Sequence, residues 1–231
     1  MPFANNLFIC DAVIFDLDGT LIDSTEVYLR ILNVAFGRLN LPLFSREDIL
    51  DLLIEGNFDW DRLLPIDLKD RKEEIIQKSM EIIREIYPQM FREEVELIPG
   101  AADILRRISM EGMKIGLVTS TDAKSLAPKL YPLQASGIVD LLQVIITTDE
   151  VANRKPAAEP LMECGKRLSV HMERIVYVGD SRVDIRAGKA AGTMTIGVLT
   201  GVDDYESLKA EEPDTILDSV VGLRDILPGL G

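Results

Sequence analysis

The sequence predicts an α/β fold, a Rossmann-like parallel sheet core with an inserted all-α helical cap. Three observations carry this. Residues 10 to 18, "CDAVIFDLD", read as a buried strand, a β-branched and apolar run with polar residues at its end. From Ser24 to about Leu97 the patterns are helical only. From "LIPG" (97–100) onward, short apolar runs alternate with amphipathic helices, which is the pattern of βαβ units in a sheet covered on both faces. The expected division is a core of residues 1–22 and 97–231 and a helical block of 23–96, with hinges at Pro99-Gly100 and around Asp23.

Taken in order, "STEVYLRILNVAFGRLN" has helical apolar spacing after a Ser24 N-cap, with Glu26 in its first turn. "SREDILDLL" opens on Ser45 and Asp48, a loose capping box. "IDLKDRKEEIIQKSMEIIREIY" reads as one long amphipathic helix closed by Pro88. Beyond Gly100 the expected strands are "KIGLVTS", "LQVIITT", "RIVYVGD" and "TMTIGV", with helices between them.

The 231 residues fit one large domain or two unequal ones, and with 47% hydrophobic and 28% charged residues the chain can bury a real core. No apolar run approaches the roughly 20 residues that span a bilayer. "MPFANNLFIC" lacks a basic n-region and runs into Asp11, so it reads as a poor signal peptide. Cys10 and Cys164 are too few for a disulfide framework and read as reduced, buried thiols. The cytoplasm is the expected address, and no membrane partner is expected. The net charge of −14 argues against a nucleic-acid partner, and an anionic substrate needs a locally positive site, such as a metal ion, a lysine or a helix N-terminus.

The chemistry sits where strands end. The first strand closes on Asp16 and Asp18, the second on Thr119-Ser120 and the fourth on Gly179-Asp180-Ser181, while a loop after the third carries Lys155-Pro156. Ligands of an open parallel sheet bind at the carboxyl ends of its strands, so these groups are expected at one edge. Unpaired buried charges are costly, and two carboxylates at one strand tip require a partner or a task. Together, acids, a hydroxyl and a lysine make a site for a metal ion and a phosphate.

These motifs resemble those of the haloacid dehalogenase superfamily phosphohydrolases, in the subgroup with a helical cap after the first strand. The family's Asp-x-Asp-Gly-Thr matches residues 16 to 20, its strand ending in Thr or Ser matches "IGLVTS" with Thr119, its Lys-Pro matches Lys155-Pro156, and its Gly-Asp-Ser-x-x-Asp matches Gly179 to Asp184. The resemblance implies a Mg²⁺-dependent phosphatase acting on a small phosphorylated metabolite, most like the phosphoglycolate phosphatases, as a monomer or homodimer. It implies Asp16 as the nucleophile that forms an aspartyl-phosphate and Asp18 as the general acid/base. By the same resemblance Mg²⁺ is held by Asp16, the Asp18 carbonyl and Asp180, with Asp184 in or next to that shell. Thr119 and the Ser120 amide would hold phosphate oxygens, Gly19 and Thr20 belong to the phosphate loop, and Lys155 would balance charge.

Two rival readings share these residues. A β-phosphoglucomutase-type phosphomutase has the same core motifs, although Thr20 stands where the mutases often have Val. A non-enzymatic regulator on this scaffold has no need of Asp16, Asp18, Lys155 and Asp180 together. Ala158 and Leu161 depart from the family's Pro and aromatic after Lys-Pro, which affects loop packing more than chemistry. The cap loop "IEGNFDW" lacks the Arg of the sugar-phosphate mutases; its Asn57, after Gly56, is a candidate to read the leaving group. His171 is assigned no role, and Trp60 is read as a packing residue of the cap.

Overall fold

The computed structural model describes residues 9–46, 48, 64 and 66–230. In chain order the strands are β1 (Ala12–Phe15), β2 (Ile22–Asp23), β3 (Glu96–Leu97), β4 (Lys114–Val118), β5 (Val144–Ile146), β6 (Ile175–Gly179), β7 (Met194–Val198) and β8 (Thr215–Leu217). Among the described residues six of them form one parallel sheet, in the order β5-β4-β1-β6-β7-β8. The last strand, β8, is absent from the sequence reading because three residues between Asp214 and Asp218 give too short an apolar run to separate from a loop.

The described helices are α1 (Thr25–Arg38), α2 (Lys72–Glu94), α3 (Ala101–Met110), α4 (Ala123–Lys129), α5 (Tyr131–Ala135), α6 (Glu159–Leu168), α7 (Arg182–Ala191) and α8 (Tyr205–Ala210). β1 is wholly buried because both of its faces are covered. Val13 and Phe15 pack into the core that holds Ile104, Leu105 and Ile108 of α3, while Ala12 and Ile14 face Leu161, Cys164 and Leu168 of α6. That two-sided burial is why the strand has no polar residue until its end.

β1 lies between β4 and β6, with Phe15 opposite both Leu117 and Val178. The chain leaves β1 toward the β4 side and leaves β6 toward the β7 side, so the order reverses between β1 and β6. A sheet of this kind opens a crevice at that reversal, beyond the carboxyl ends of the two strands. Asp16 and Asp180 are the residues that follow those ends.

The helical insertion leaves and re-enters through β2 and β3, which pair antiparallel, Ile22 opposite Leu97 and Asp23 opposite Glu96. α1 and α2 pack on each other above the sheet edge. Their contact includes Tyr28 edge-on to Phe91 (centroids 5.0 Å, 74°), and within α2 Tyr87 packs on the same Phe91 ring (4.4 Å). Tyr87 Oη donates to the Ser125 carbonyl of α4 at 3.0 Å, and the Arg92 guanidinium lies 5.1 Å from the Tyr131 ring of α5.

Two local expectations are corrected. The long helix does not close at Pro88. It begins at Lys72, after a 3₁₀ stretch from Ile66 to Arg71, and runs through Pro88 to Glu94. An interior proline costs about 3 kcal/mol. Complete burial of Phe91 between two tyrosines offsets a cost of that size, at about 1.5–3 kcal/mol for the side chain and about 0.5–1.5 for each aromatic pair. Ser24 does occupy the N-cap position of α1, but its side chain makes no capping bond and is buried. The capping box is present at the second site, where the Ser45 N–H donates to Asp48 Oδ2 at 2.7 Å and the Asp48 N–H donates to Ser45 Oγ at 3.2 Å. Asn57, Gly56, Trp60 and the loop that holds them lie outside the described residues.

Candidate active site

At the end of β1, the Asp16 N–H donates to the Val178 carbonyl at 2.9 Å, which carries the sheet one residue further and aims the carboxylate into the crevice. Lys155 reaches it from the loop between β5 and α6. Its Nζ donates to Asp16 Oδ1 and Asp184 Oδ1, both at 2.6 Å, and to Tyr177 Oη at 3.1 Å. Asp184 sits in the first turn of α7, where it forms a capping box with Ser181, whose hydroxyl donates to Asp184 Oδ2 at 2.5 Å. Capping and site placement therefore coexist in one aspartate.

Asp180 is held from two sides. Thr20 Oγ1 donates to its Oδ1 at 3.3 Å, and the Val202 N–H donates to its Oδ2 at 2.8 Å. Gly19, at φ +75°, lets the turn after β1 pass so close that a Cβ there would stand 2.5 Å from Asp180 Oδ2. Gly201 makes a second close approach, and a Cβ on it would overlap the same carboxylate. Thr200 Oγ1 donates to the Gly19 carbonyl at 2.6 Å and fastens the two loops together.

One oxygen from each of Asp16, Asp180 and Asp184 falls within 4.8 Å of the others, and all three residues are buried. Burial, then repulsion from Asp184 and Asp18, pushes the Asp16 carboxyl up to about 7 in spite of Lys155. Burial and the neighbouring carboxylates hold Asp180 well above the carboxylate range. Asp184 goes the other way: burial would raise it, but the Lys155 ammonium and the bonds from Ser181 and Tyr177 keep it low. The two carboxylates outweigh burial at Lys155 and hold its ammonium well above its ordinary value. Three buried acids thus face one buried cation, a deficit of positive charge. Close-set oxygen donors with that deficit fit a hard divalent cation.

Asp18 stands in a different environment. Its Oδ2 accepts from Lys129 Nζ at 2.5 Å and from Thr121 Oγ1 at 3.3 Å, while its Oδ1 is buried with no hydrogen-bond partner among the described residues. Lys129, at the end of α4, is itself buried, donates to Thr121 Oγ1 at 2.7 Å, and lies 5.0 Å and 5.5 Å from the ring centroids of Tyr28 and Phe91. The two aspartates of one strand tip are therefore paired with different lysines.

Above these groups lies a cleft of about 450 Å³ between the sheet edge and helices α1 and α2. Asp16, Asp18, Gly19, Ser120, Lys155 and Asp180 line its floor. Thr119 and Thr20 do not line it: Thr119 Oγ1 accepts the Thr121 N–H at 3.1 Å, and the Thr20 hydroxyl is turned onto Asp180.

Residues 13–198 match the haloacid dehalogenase-like hydrolase family. The chain belongs to that family. Among curated relatives of this hydrolase is the phosphoglycolate phosphatase of Salmonella choleraesuis, 34% identical, with the match covering 95% of this chain and 92% of the relative. The crystal structure of a predicted phosphoglycolate phosphatase from Haemophilus somnus superimposes with a TM-score of 0.82 at 24% identity, covering 94% of this chain and 97% of the other, which shows the shared fold. The structure of CbbY from Rhodobacter sphaeroides, solved in complex with phosphate, gives a TM-score of 0.71 at 25% identity over 92% of this chain and 95% of that one.

Sequence reasoning missed several residues that shape the site of this haloacid dehalogenase-like hydrolase. Lys129 is the largest omission. Its signal is its company: it stands among Leu126, Leu130 and Leu133, all buried, where a lysine has no ordinary place. Tyr177, inside the strand "RIVYVGD", hydrogen-bonds both Lys155 and Asp184. The Thr200–Val202 loop carries no motif, and only the fold brings it to Asp180.

Proposed function

We propose that this hydrolase is a phosphatase that hydrolyses small phosphomonoesters through an aspartyl-phosphate on Asp16, with Asp18 as general acid and base. The observation that supports this most is the split of the strand-tip pair, with Asp16 anchored by Lys155 among buried acids and Asp18 anchored apart by Lys129. Two carboxylates in unlike surroundings suit two unlike roles. Asp16 attacks phosphorus, and the phosphorus–oxygen bond to the alcohol breaks as Asp18 gives its proton to the leaving oxygen. Asp18 then takes a proton from water, the water attacks the aspartyl-phosphate, and inorganic phosphate leaves with Asp16 restored. Lys155 holds one Asp16 oxygen and would face the incoming phosphoryl charge, and the amide of Ser120, a residue of the cleft lining, would donate to a phosphate oxygen.

Asp16, Asp180 and Asp184, with the Asp18 backbone carbonyl, are the groups that would hold Mg²⁺. When bound, the ion supplies the positive charge that lets a carboxylate approach an anionic phosphoryl group. The same reading takes residues 1–22 and 97–231 as the core and 23–96 as a cap hinged at the β2–β3 pair. It places the protein in the cytoplasm, in keeping with free, buried Cys10 and Cys164, whose thiols burial pushes up to about 11 and about 12. Among the described residues no helix is long and apolar enough to cross a membrane.

The test is phosphate release over a panel of phosphomonoesters. Chelation should stop release, Mg²⁺ should restore it, and Ca²⁺ should inhibit, because it relaxes the octahedral geometry that Mg²⁺ enforces. Full activity after exhaustive chelation would count against the reading. A variant sharpens it: in Gly201→Ala the new methyl must displace the Asp180 carboxylate, so half-activation should need on the order of tenfold more Mg²⁺ in a protein that still folds. An unchanged Mg²⁺ titration would remove Asp180 from the metal site.

A further inference from the structure

The floor of the cleft is charged, whereas the described residues of its upper wall carry no charge, Ser24 and Thr25 standing there beside apolar side chains. Tyr28, Ile31 and Leu32 of α1 face Met80, Ile83 and Tyr87 of α2. Among the described residues the one positive side chain lining the cleft is Lys155, whose Nζ is already engaged by Asp16, Asp184 and Tyr177. Lys129 is engaged in the same way by Asp18 and Thr121.

We propose that the substrate is the phosphate monoester of a neutral, mainly apolar alcohol of several carbons, whose carbon skeleton seats against this wall while the phosphoryl group meets Asp16. The proposal rests on the phosphatase reading and adds the substrate class. A leaving group with its own carboxylate, such as glycolate, would find no cation among the described residues of the wall and would stand above the carboxylates of the floor, where both desolvation and repulsion oppose it. A sugar would set most of its hydroxyls against isoleucine, leucine and methionine, with only Ser24, Thr25 and the tyrosine hydroxyls as polar partners among the described wall residues. An alkyl or isoprenoid-like skeleton meets neither obstacle and removes apolar surface from water on both sides. The size agrees: a cleft of about 450 Å³ lies within the roughly 300–1,000 Å³ of pockets that enclose ligands much larger than glycolate. One tyrosine hydroxyl is also withdrawn from the cleft's chemistry, since Tyr87 Oη is bonded to the Ser125 carbonyl.

The experiment compares kcat/KM for n-alkyl monophosphates from ethyl to hexyl with 2-phosphoglycolate and a hexose monophosphate, on the full chain with Mg²⁺. These all release an alkoxide-type leaving group, so the comparison reads recognition rather than leaving-group chemistry. The expected result is a gain of about fourfold for each of the first added methylenes and a hexyl phosphate preferred over 2-phosphoglycolate by more than about tenfold. In Ile83→Lys the alkyl slope should flatten and the preference should swing toward 2-phosphoglycolate by about tenfold or more. A flat series on the unaltered protein, or a preference for 2-phosphoglycolate or the hexose phosphate, overturns the proposal and leaves the phosphatase reading standing. Phosphate release from none of them, nor from para-nitrophenyl phosphate, overturns both. The slope is measured without any substitution, so a variant that fails to fold does not blunt the test.

Discussion

Asp16→Asn should abolish turnover while leaving the fold intact. The amide keeps the size and shape of the carboxylate but cannot attack phosphorus, so kcat should fall on the order of 10⁴-fold or more. Stability should hardly suffer. Asp16 sits among Asp180 and Asp184, and removing one negative charge from three crowded acids relieves repulsion, while Lys155 keeps its bonds to Asp184 and Tyr177. The melting temperature in the absence of metal should stay within a few degrees of the unaltered protein or rise. Circular dichroism with a phosphate-release assay decides the matter, and a folded Asp16→Asn protein with substantial activity would end the aspartyl-phosphate mechanism.

Lys129→Met should separate positioning from packing. Methionine fills the volume beside Tyr28 and Phe91 but leaves Asp18 without its cation. Replacing one partner of a buried pair by an apolar isostere is tolerated best when the other partner can reach water, and the Asp18 side chain is 28% exposed. The protein should therefore fold, with an Asp18 carboxyl no longer held in one orientation. Loss of a well-placed general acid costs about 10²–10⁴-fold where the leaving oxygen needs a proton. On an alkyl phosphate we expect kcat to fall by about 10²-fold with KM little changed, whereas para-nitrophenyl phosphate, whose leaving group departs without a proton, should lose less than about tenfold. Equal losses on both substrates would make Lys129 a packing residue only.

These two lysines show how far the sequence could be read. Lys155 was legible because it is followed by Pro156 in a loop just past a strand, a position that a parallel sheet converts into the active edge. Asp16, Asp18 and Asp180 were legible for the same reason. Lys129 was only partly legible: its leucine neighbours mark a lysine out of place, but its partner Asp18 lies 111 residues away and nothing near Lys129 in the sequence names it. The Gly201 approach to Asp180 was hidden as well: a glycine in "LTGVDD" is an ordinary turn signal until the sheet brings it against a carboxylate. The run of α2 through Pro88 failed for a different reason. A local rule against interior proline was overridden by tertiary burial of Phe91, which no window of sequence around Pro88 reveals.

The central place of β1 also sets an order of events during synthesis. The strand is made first, yet its hydrogen-bonding partners on either side come later: Ala12 pairs with Lys114 and with Ile175. At roughly 5–20 residues per second, β1 has at least one open edge for on the order of ten to thirty seconds after it is translated, until β6 follows. Contacts this far apart along the chain make for slow folding, and an unpaired apolar strand is a hazard while it waits. Asp11 before it and Asp16 and Asp18 at its tip put charge at both ends of the strand, the pattern that opposes pairing between copies of an exposed apolar segment. Only when β6 adds its edge do Asp16 and Asp180 meet, so the chain assembles its crowded, costly cluster of acids after the sheet is already able to hold it.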